Sequence, residues 1–259
     1  MKKIIALVMA VIFMCLAFAG CGKKDPAEDV ENIKKAGKIV IGITDFAPMD
    51  YKENGEWVGF DADMAKEFAE YLGVEVEFQE ITWDQKILEL NEYKIDCVWN
   101  GMTLTDEVKA GMDCSVPYCI NSQVVVVNKD VADKYQTAEA CKDLKFAVEE
   151  GSAGEDMAKE NGYEYTAVTD MATALMEVKE GKSDAAIIDS LMAGAMIGEG
   201  TAYEELTYTV KLNNEEYGVG FRQGSNLVDE FNKFFEEKTK DGTVQNIATK
   251  YGVQEALIK

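Results

Sequence analysis

Apolar residues in this chain fall into short blocks separated by polar turns, and two spacings alternate. Lys38-Ile39-Val40-Ile41-Gly42-Ile43 is a nearly unbroken apolar run and predicts a buried strand. Asn54-Gly55 is a hairpin turn signal. Beyond it, Met64, Ala65, Phe68 and Leu72 share one stripe at helical spacing, which predicts a helix capped by Asp61 and ending at Leu72. Val74-Glu75-Val76-Glu77-Phe78 alternates as a half-buried strand does. Residues 83–90 read as helix and 95–99 as strand. The pattern then recurs. Strands are expected at 124–127 and 146–148, a helix opens at Gly151-Ser152-Ala153-Gly154, and another spans 171–179. A strand over 185–188 ends at Asp189. After Tyr217-Gly218-Val219-Gly220-Phe221 the chain is helical from Leu227 to about Lys240, and Asp241-Gly242 separates off a last helix reaching Tyr251. Such alternation predicts an α/β architecture: two units of similar size, each on a largely parallel sheet.

The first residues follow a different logic. Lys2 and Lys3 precede an apolar run over residues 4–18, then Phe18-Ala19-Gly20-Cys21. The run is shorter than the roughly 20 residues a membrane span needs, and it suits a secretory signal. Small residues before a cysteine resemble the bacterial lipobox, although Phe18 stands where leucine is usual. We therefore expect a signal peptide over 1–20 and lipidation at Cys21, with the protein anchored on the extracytoplasmic face of the cell membrane. The alternative is an ordinary cleaved signal with an incidental cysteine. Charged residues and Pro26 suggest a tether over 21–32, with order beginning near Ile33.

Composition narrows the chemistry. The chain carries 26 basic and 48 acidic side chains, a net charge of -22, and no histidine. A polyanion is repelled by such a surface, so nucleic acid is not an expected partner. Without histidine there is no Ser-His-Asp triad, and the commonest general base and transition-metal ligand are missing. Cys97, Cys114, Cys119 and Cys141 match no zinc spacing and are read as free thiols in preference to a disulfide. No metal and no cofactor are expected.

Five stretches, in order, resemble the family-3 extracellular solute-binding proteins. They are Gly59-Phe60-Asp61-Ala62-Asp63-Met64-Ala65; residues 94–107, containing Asn100-Gly101-Met102-Thr103-Leu104-Thr105, with Ser115-Val116-Pro117-Tyr118; Glu149-Glu150-Gly151-Ser152-Ala153-Gly154-Glu155; residues 181–189, ending Ile187-Ile188-Asp189; and residues 216–222 with Asp241-Gly242-Thr243. The resemblance implies a two-lobed periplasmic-binding-protein type 2 fold. Lobe 1 would comprise residues 33–122 and 218–259, and lobe 2 would be inserted as 123–217. Two crossings, near 121–124 and 214–218, would form the hinge.

The resemblance also implies a ligand site between the lobes. Asp189 would meet the ligand's α-amino group, and Gly101 and Thr103 would add a carbonyl and a hydroxyl. Ser152 and Ala153 would present helix N-terminal N–H groups to the α-carboxylate, Phe46 would pack over the side chain, and Glu149 and Asp50 would lie near it. Each has a plainer role open to it: Asp189 and Ser152 as helix caps, Gly101 and Thr103 as a turn, Phe46 as core, the two acids as surface. Trp83 and Trp99 are read as core. One departure matters most. The family pattern places an arginine on the ligand carboxylate where this chain has Val108, and the single arginine of the sequence is Arg222. The implied function is the substrate-binding component of an ABC importer for a polar or cationic amino acid, a monomer handing its ligand to a membrane permease. The alternatives are a binding or sensing lipoprotein for an organic cation, with little need of a free carboxylate, and an enzyme of the cyclohexadienyl-dehydratase kind.

Overall fold

The structure, a computed structural model, describes residues 25–258. The expected signal peptide and Cys21 lie outside the described residues. Among the described residues, no helix is long and apolar enough to cross a membrane.

Two sheets organise the chain, and the second is inserted into the first. In the first, β1 (Lys38–Ile43) runs parallel to β4 (Glu75–Glu80) and to β5 (Cys97–Thr103). A late strand, β13 (Glu215–Phe221), adds antiparallel to β5 and pairs with the short β6 (Asp113–Cys114) and β7 (Cys119–Asn121). The small hairpin of β2 (Tyr51–Glu53) and β3 (Glu56–Val58) turns at Asn54 and Gly55, both at positive φ. Helix α2 (Phe60–Leu72) covers this sheet because its apolar stripe faces inward, with Met64, Phe68 and Leu72 all buried. The aromatic residues of α8 (Leu227–Lys240) meet it there. Trp99 and Phe231 ring centroids lie 4.9 Å apart edge to face, and Phe68 and Phe234 lie 5.0 Å apart. Helix α9 (Thr243–Tyr251) closes the lobe.

The second sheet has the order β10 (Glu164–Val168), β9 (Lys145–Glu149), β11 (Ala185–Asp189), β8 (Gln123–Asn128), β12 (Leu206–Lys211). Only β9, β10 and β11 are parallel. The sheet is therefore mixed, not largely parallel: β8 leaves the hinge, β12 returns to it, and both pair antiparallel. Helices α5 (Ala153–Asn161), α6 (Met171–Lys179) and α7 (Ser190–Met196) complete this lobe. The outward crossing is Ser122, between β7 and β8. The return comes earlier than residue 217, because Glu215, Glu216 and Tyr217 already pair with Asn121, Ile120 and Cys119 in the first sheet.

Two expectations made from local sequence fail for the same reason, a distant partner. Asp61 does not cap α2. Gly59 holds that position, and Asp61 is buried, accepting from the Gly101 N–H at 2.6 Å and the Tyr118 hydroxyl at 2.7 Å. Order also begins before Ile33. Helix α1 (Asp29–Ala36) buries Val30, Ile33 and the carboxylate of Asp29. Asp29 is held by Arg222, whose Nε donates to it at 2.9 Å, and by Ser225 at 2.8 Å. The same guanidinium donates to the Ile95 carbonyl at 2.6 Å and to Asp96 at 3.1 Å, and it lies 4.3 Å from the Tyr93 ring centroid. A segment polar enough to resemble a tether is thus fastened by a buried ion pair.

Arg222 is 2% exposed, so removing it leaves Asp29 as an uncompensated buried charge. Arg222→Met is expected to lower the unfolding free energy by about 3–5 kcal/mol. Amide exchange over 29–36 should accelerate more than exchange in the second sheet. Denaturant titration and hydrogen exchange check both, and an unchanged midpoint contradicts the assignment.

Candidate functional site

The two sheets face one another across a cleft, and the strand ends supply its walls. Thr103 ends β5, Glu149 ends β9 and Asp189 ends β11. Carboxyl ends of parallel strands are where open α/β sheets present side chains to a ligand. Phe46, Gly101, Thr103, Glu149, Ser152, Ala153 and Asp189 all line this cleft. In this conformation the space open to the centre of a water-sized sphere is about 30 Å3, little more than an ordered water needs.

Asp189 is 6% exposed and its side chain does not cap α7, although it stands at that helix's N-cap. Its Oδ1 accepts instead from the Asn121 amide and, at 2.5 Å, from the Tyr217 hydroxyl, both on lobe 1 strands. Burial first, and then the neighbouring Glu215 carboxylate, hold Asp189 well above the usual carboxylate range. Glu215 itself accepts from Thr103 at 3.0 Å, Asn121 at 2.5 Å and Gln123 at 2.9 Å. The Thr103 proton is thereby committed, and its lone pairs are what remain for a donor in the cleft.

The floor beside Thr103 is shaped by Gly101. Its φ is +53°, and an added Cβ would lie 2.3 Å from the Phe46 ring and 3.2 Å from the Tyr217 ring. Phe46 is both core and wall: it is 1% exposed and meets Tyr217 edge to face at 6.2 Å. On the opposite wall Ser152 caps α5, its Oγ accepting from the Glu155 N–H at 3.2 Å. That cap leaves the N–H groups of the first turn outside the helical ladder, at the positive end of the helix dipole.

Glu149 lines the cleft without a partner of its own. It is 3% exposed, yet its carboxylate has no hydrogen bond or ion pair among the described residues. Burial, then Asp189 and Asp170, push its pKa up to about 8, and Lys86 opposes them. Asp50, expected near the ligand, is not in the cleft. It is buried in lobe 1 near Asp61, behind the Phe46 turn.

Sequence reasoning passed over several residues that also line the cleft: Lys86, Asn100, Thr105, Glu107, Asp156 and Met171. Trp83, read as core, is a wall residue with the Lys86 ammonium 4.7 Å from its ring centroid. The signal that could have found Lys86 is its position four residues before Leu90, which puts an ammonium on the buried stripe of α3 (Lys86–Asn91). Val108 is 3% exposed, packs with Trp83 and Met112, and reaches the same cleft. A wider groove of about 600 Å3 continues toward the hinge crossings, walled by Asp106, Glu107, Asp156, Glu160, Glu215 and Glu216. Among the described residues, no group of cysteines and carboxylates is arranged to hold a metal ion, and Cys97, Cys114, Cys119 and Cys141 are free thiols.

Residues 39–254 match the bacterial extracellular solute-binding proteins, family 3. The arginine-binding extracellular protein ArtP of Bacillus subtilis is 30% identical over 262 residues, covering 97% of this chain and 98% of its own. The L-cystine-binding protein TcyA of the same organism is 30% identical over 96% of this chain and 97% of its own. Among solved structures, a mutant of ArgBP from T. maritima superimposes with a TM-score of 0.80 at 33% identity, over 86% of this chain and 98% of that one. The ancestral amino-acid-binding protein AncCDT-1, described as a precursor of cyclohexadienyl dehydratase, gives 0.79 at 35% identity over 86% and 98%. A substrate-binding protein of a Streptococcus pneumoniae ABC uptake transporter, with bound histidine, gives 0.81 at 28% identity over 91% and 100%. With the two-lobed fold and the cleft at its strand ends, this match over most of the chain places it in the bacterial extracellular solute-binding proteins of family 3.

Proposed function

We propose that the chain is the substrate-binding component of an ABC importer for a cationic L-amino acid, held as a monomer on the outer face of the cell membrane and delivering its ligand to a permease. The observation that carries the choice of ligand is the unpaired, buried Glu149, facing a cleft that also holds Asp189. An unpaired buried carboxylate is costly, and a ligand cation removes the cost. One cation sits on Asp189 and Thr103, and a second, on the ligand side chain, reaches Glu149. The family resemblance and the lipobox-like segment before Cys21 support export and anchoring. The likeness to AncCDT-1 keeps a catalytic reading in view; with no histidine in the chain, we take the site to bind and not to convert.

Three expected outcomes follow from this reading. Asp189→Ala should weaken L-arginine binding by about 3–5 kcal/mol, since the ligand ammonium loses its buried partner. Calorimetry measures it, and mass spectrometry should recover the arginine unchanged. An unaltered isotherm removes Asp189 from the site, and detectable turnover favours the enzyme.

The second outcome concerns protons. Glu149 shifts from an ordinary value near 4.5 to about 8, so the ligand-free fold holds an extra proton between those limits. Stability should therefore fall as pH rises from about 4.5 to about 8 and level off above, at up to about 1.4 kcal/mol per pH unit from this group. Glu149→Gln should remove that share of the slope. A cation arriving at Glu149 expels the proton, so L-arginine binding at pH 7 should release protons in the wild type and fewer in Glu149→Gln. Heats in two buffers of different ionisation enthalpy decide it, and identical release from both proteins counts against Glu149.

The third outcome concerns the anchor. The protein should label with palmitate in a bacterial host and sediment with membranes, and Cys21→Ala should be released or left unprocessed. Equal labelling of both forms would exclude the lipid anchor.

A further inference from the structure

A buried ammonium stands in the same cleft with no anionic partner. Lys86 is 5% exposed and forms no ion pair among the described residues. Two of its three N–H donors are committed to carbonyls, that of Trp83 at 3.2 Å and that of Gly151 at 2.9 Å. The third is left for whatever occupies the cleft. Burial lowers its basicity, and the nearby Glu107 and Glu149 oppose that without touching it. The position is also unhelpful to the helix: Lys86 is the first residue of α3, where the dipole disfavours a cation.

Its surroundings point to an anion. The Gly151 carbonyl that it holds belongs to the residue before Ser152, whose helix offers its free N–H groups to the cleft. An anion seated there has an ammonium from lobe 1 on one side and backbone donors from lobe 2 on the other. The two lobes are already in close contact at this point, since a Cβ on Gly151 would lie 2.8 Å from the Asp84 backbone. Val108, where the resemblance expects an arginine, shares an apolar cluster with Trp83, whose ring lies against the Lys86 ammonium, and lines the same cleft.

We propose that Lys86 binds the carboxylate of the amino-acid ligand, replacing the arginine that Val108 displaces. The proposal rests on the amino-acid reading above and deepens it. The cleft then has one seat for an anion and two for cations, matching an amino acid with a basic side chain. It also replaces the expectation of a ligand with little need of a free carboxylate. Because Lys86 reaches from lobe 1 to lobe 2, a carboxylate bound to it holds the lobes together.

The test compares L-arginine with agmatine, which is arginine without its carboxylate, in the wild type, Lys86→Met, and Lys86→Met/Val108→Arg. One charge-assisted hydrogen bond corresponds to a preference of about 10- to 150-fold. The wild type should prefer L-arginine by that factor. Lys86→Met should bind the two within a few-fold of each other, with agmatine affinity retained as the control for folding. Restoring arginine at position 108 should restore the preference. Survival of the preference in Lys86→Met overturns the proposal, and so does equal binding by the wild type. If the wild type binds neither but takes up another free amino acid, the cationic reading fails. Lys86 is then judged by the same three proteins on that amino acid and its methyl ester, where a preference surviving in Lys86→Met again overturns it.

Discussion

The carboxylate of Asp189 ties the two lobes together beside the hinge. Asp189 belongs to a lobe 2 strand, but the donors that hold it, Asn121 and Tyr217, belong to lobe 1. Asn121 is shared with Glu215, which also collects Thr103, Gln123 and Asn213. The crossings are pinned at the same place, with the Leu212 N–H donating to the Gln123 carbonyl and the Gln123 N–H to Asn213. Two carboxylates thus share a few donors in the hinge, and the Glu215 carboxylate raises the cost of ionising Asp189. A ligand ammonium at Asp189 relieves that cost only while the lobes keep the geometry that brings Asp189 and Thr103 together. Binding and lobe orientation are coupled because the same residues serve both.

How much of this was legible follows from the range of the interactions. Strands such as Lys38–Ile43 and Ala185–Asp189 announce themselves, since burial on both faces demands continuous apolar runs. Asp189 was legible as a polar residue closing such a run, and Ser152 as a cap opening a helix. The edge strand β10 was not read, because its half-exposed residues carry no such run. Of the eight residues expected around a ligand, seven line one cleft and Asp50 does not. What was misread depends on partners far along the chain. Asp29 looked like tether because its partner, Arg222, is 193 positions away. Lys86 was passed over because what buries it is Trp83 beside it and Gly151 in the other lobe.

The replacement of a cation by Val108 has consequences beyond the missing contact. An arginine there would reach the cleft from α4 (Asp106–Gly111), within one lobe. Val108 instead belongs to an apolar cluster with Trp83, Ile95 and Met112, and the Trp83 ring of that cluster lies against the Lys86 ammonium. The ammonium rests on that surface through the Trp83 ring and is oriented by two carbonyls, one from each lobe. An ammonium is a compact charge with rotatable donors, whereas a guanidinium fixes a carboxylate in one plane. Anion recognition in this cleft therefore depends more on lobe position than on side-chain shape.

Beneath the cleft floor a second pair of carboxylates constrains what the first can do. Asp50 and Asp61 are fully buried, and neither Asp50 oxygen has a hydrogen-bond partner among the described residues. Burial raises both, Asp61 to about 7 against the hydrogen bonds it accepts, and the Asp61 charge raises Asp50 further, so the pair keeps a proton that isolated carboxylates would lose. Asp61 nevertheless receives the Gly101 N–H and the Tyr118 hydroxyl, and so fixes the peptide at the left-handed turn that shapes the floor. Gly101 in turn supports Phe46 and Tyr217, and Tyr217 donates to Asp189. The floor therefore stays rigid through neutral and charge-assisted hydrogen bonds made inside lobe 1. The charges that respond to a ligand are left to the walls, where Lys86 and Glu149 form no ion pair among the described residues and Asp189 is held by the Asn121 amide and the Tyr217 hydroxyl.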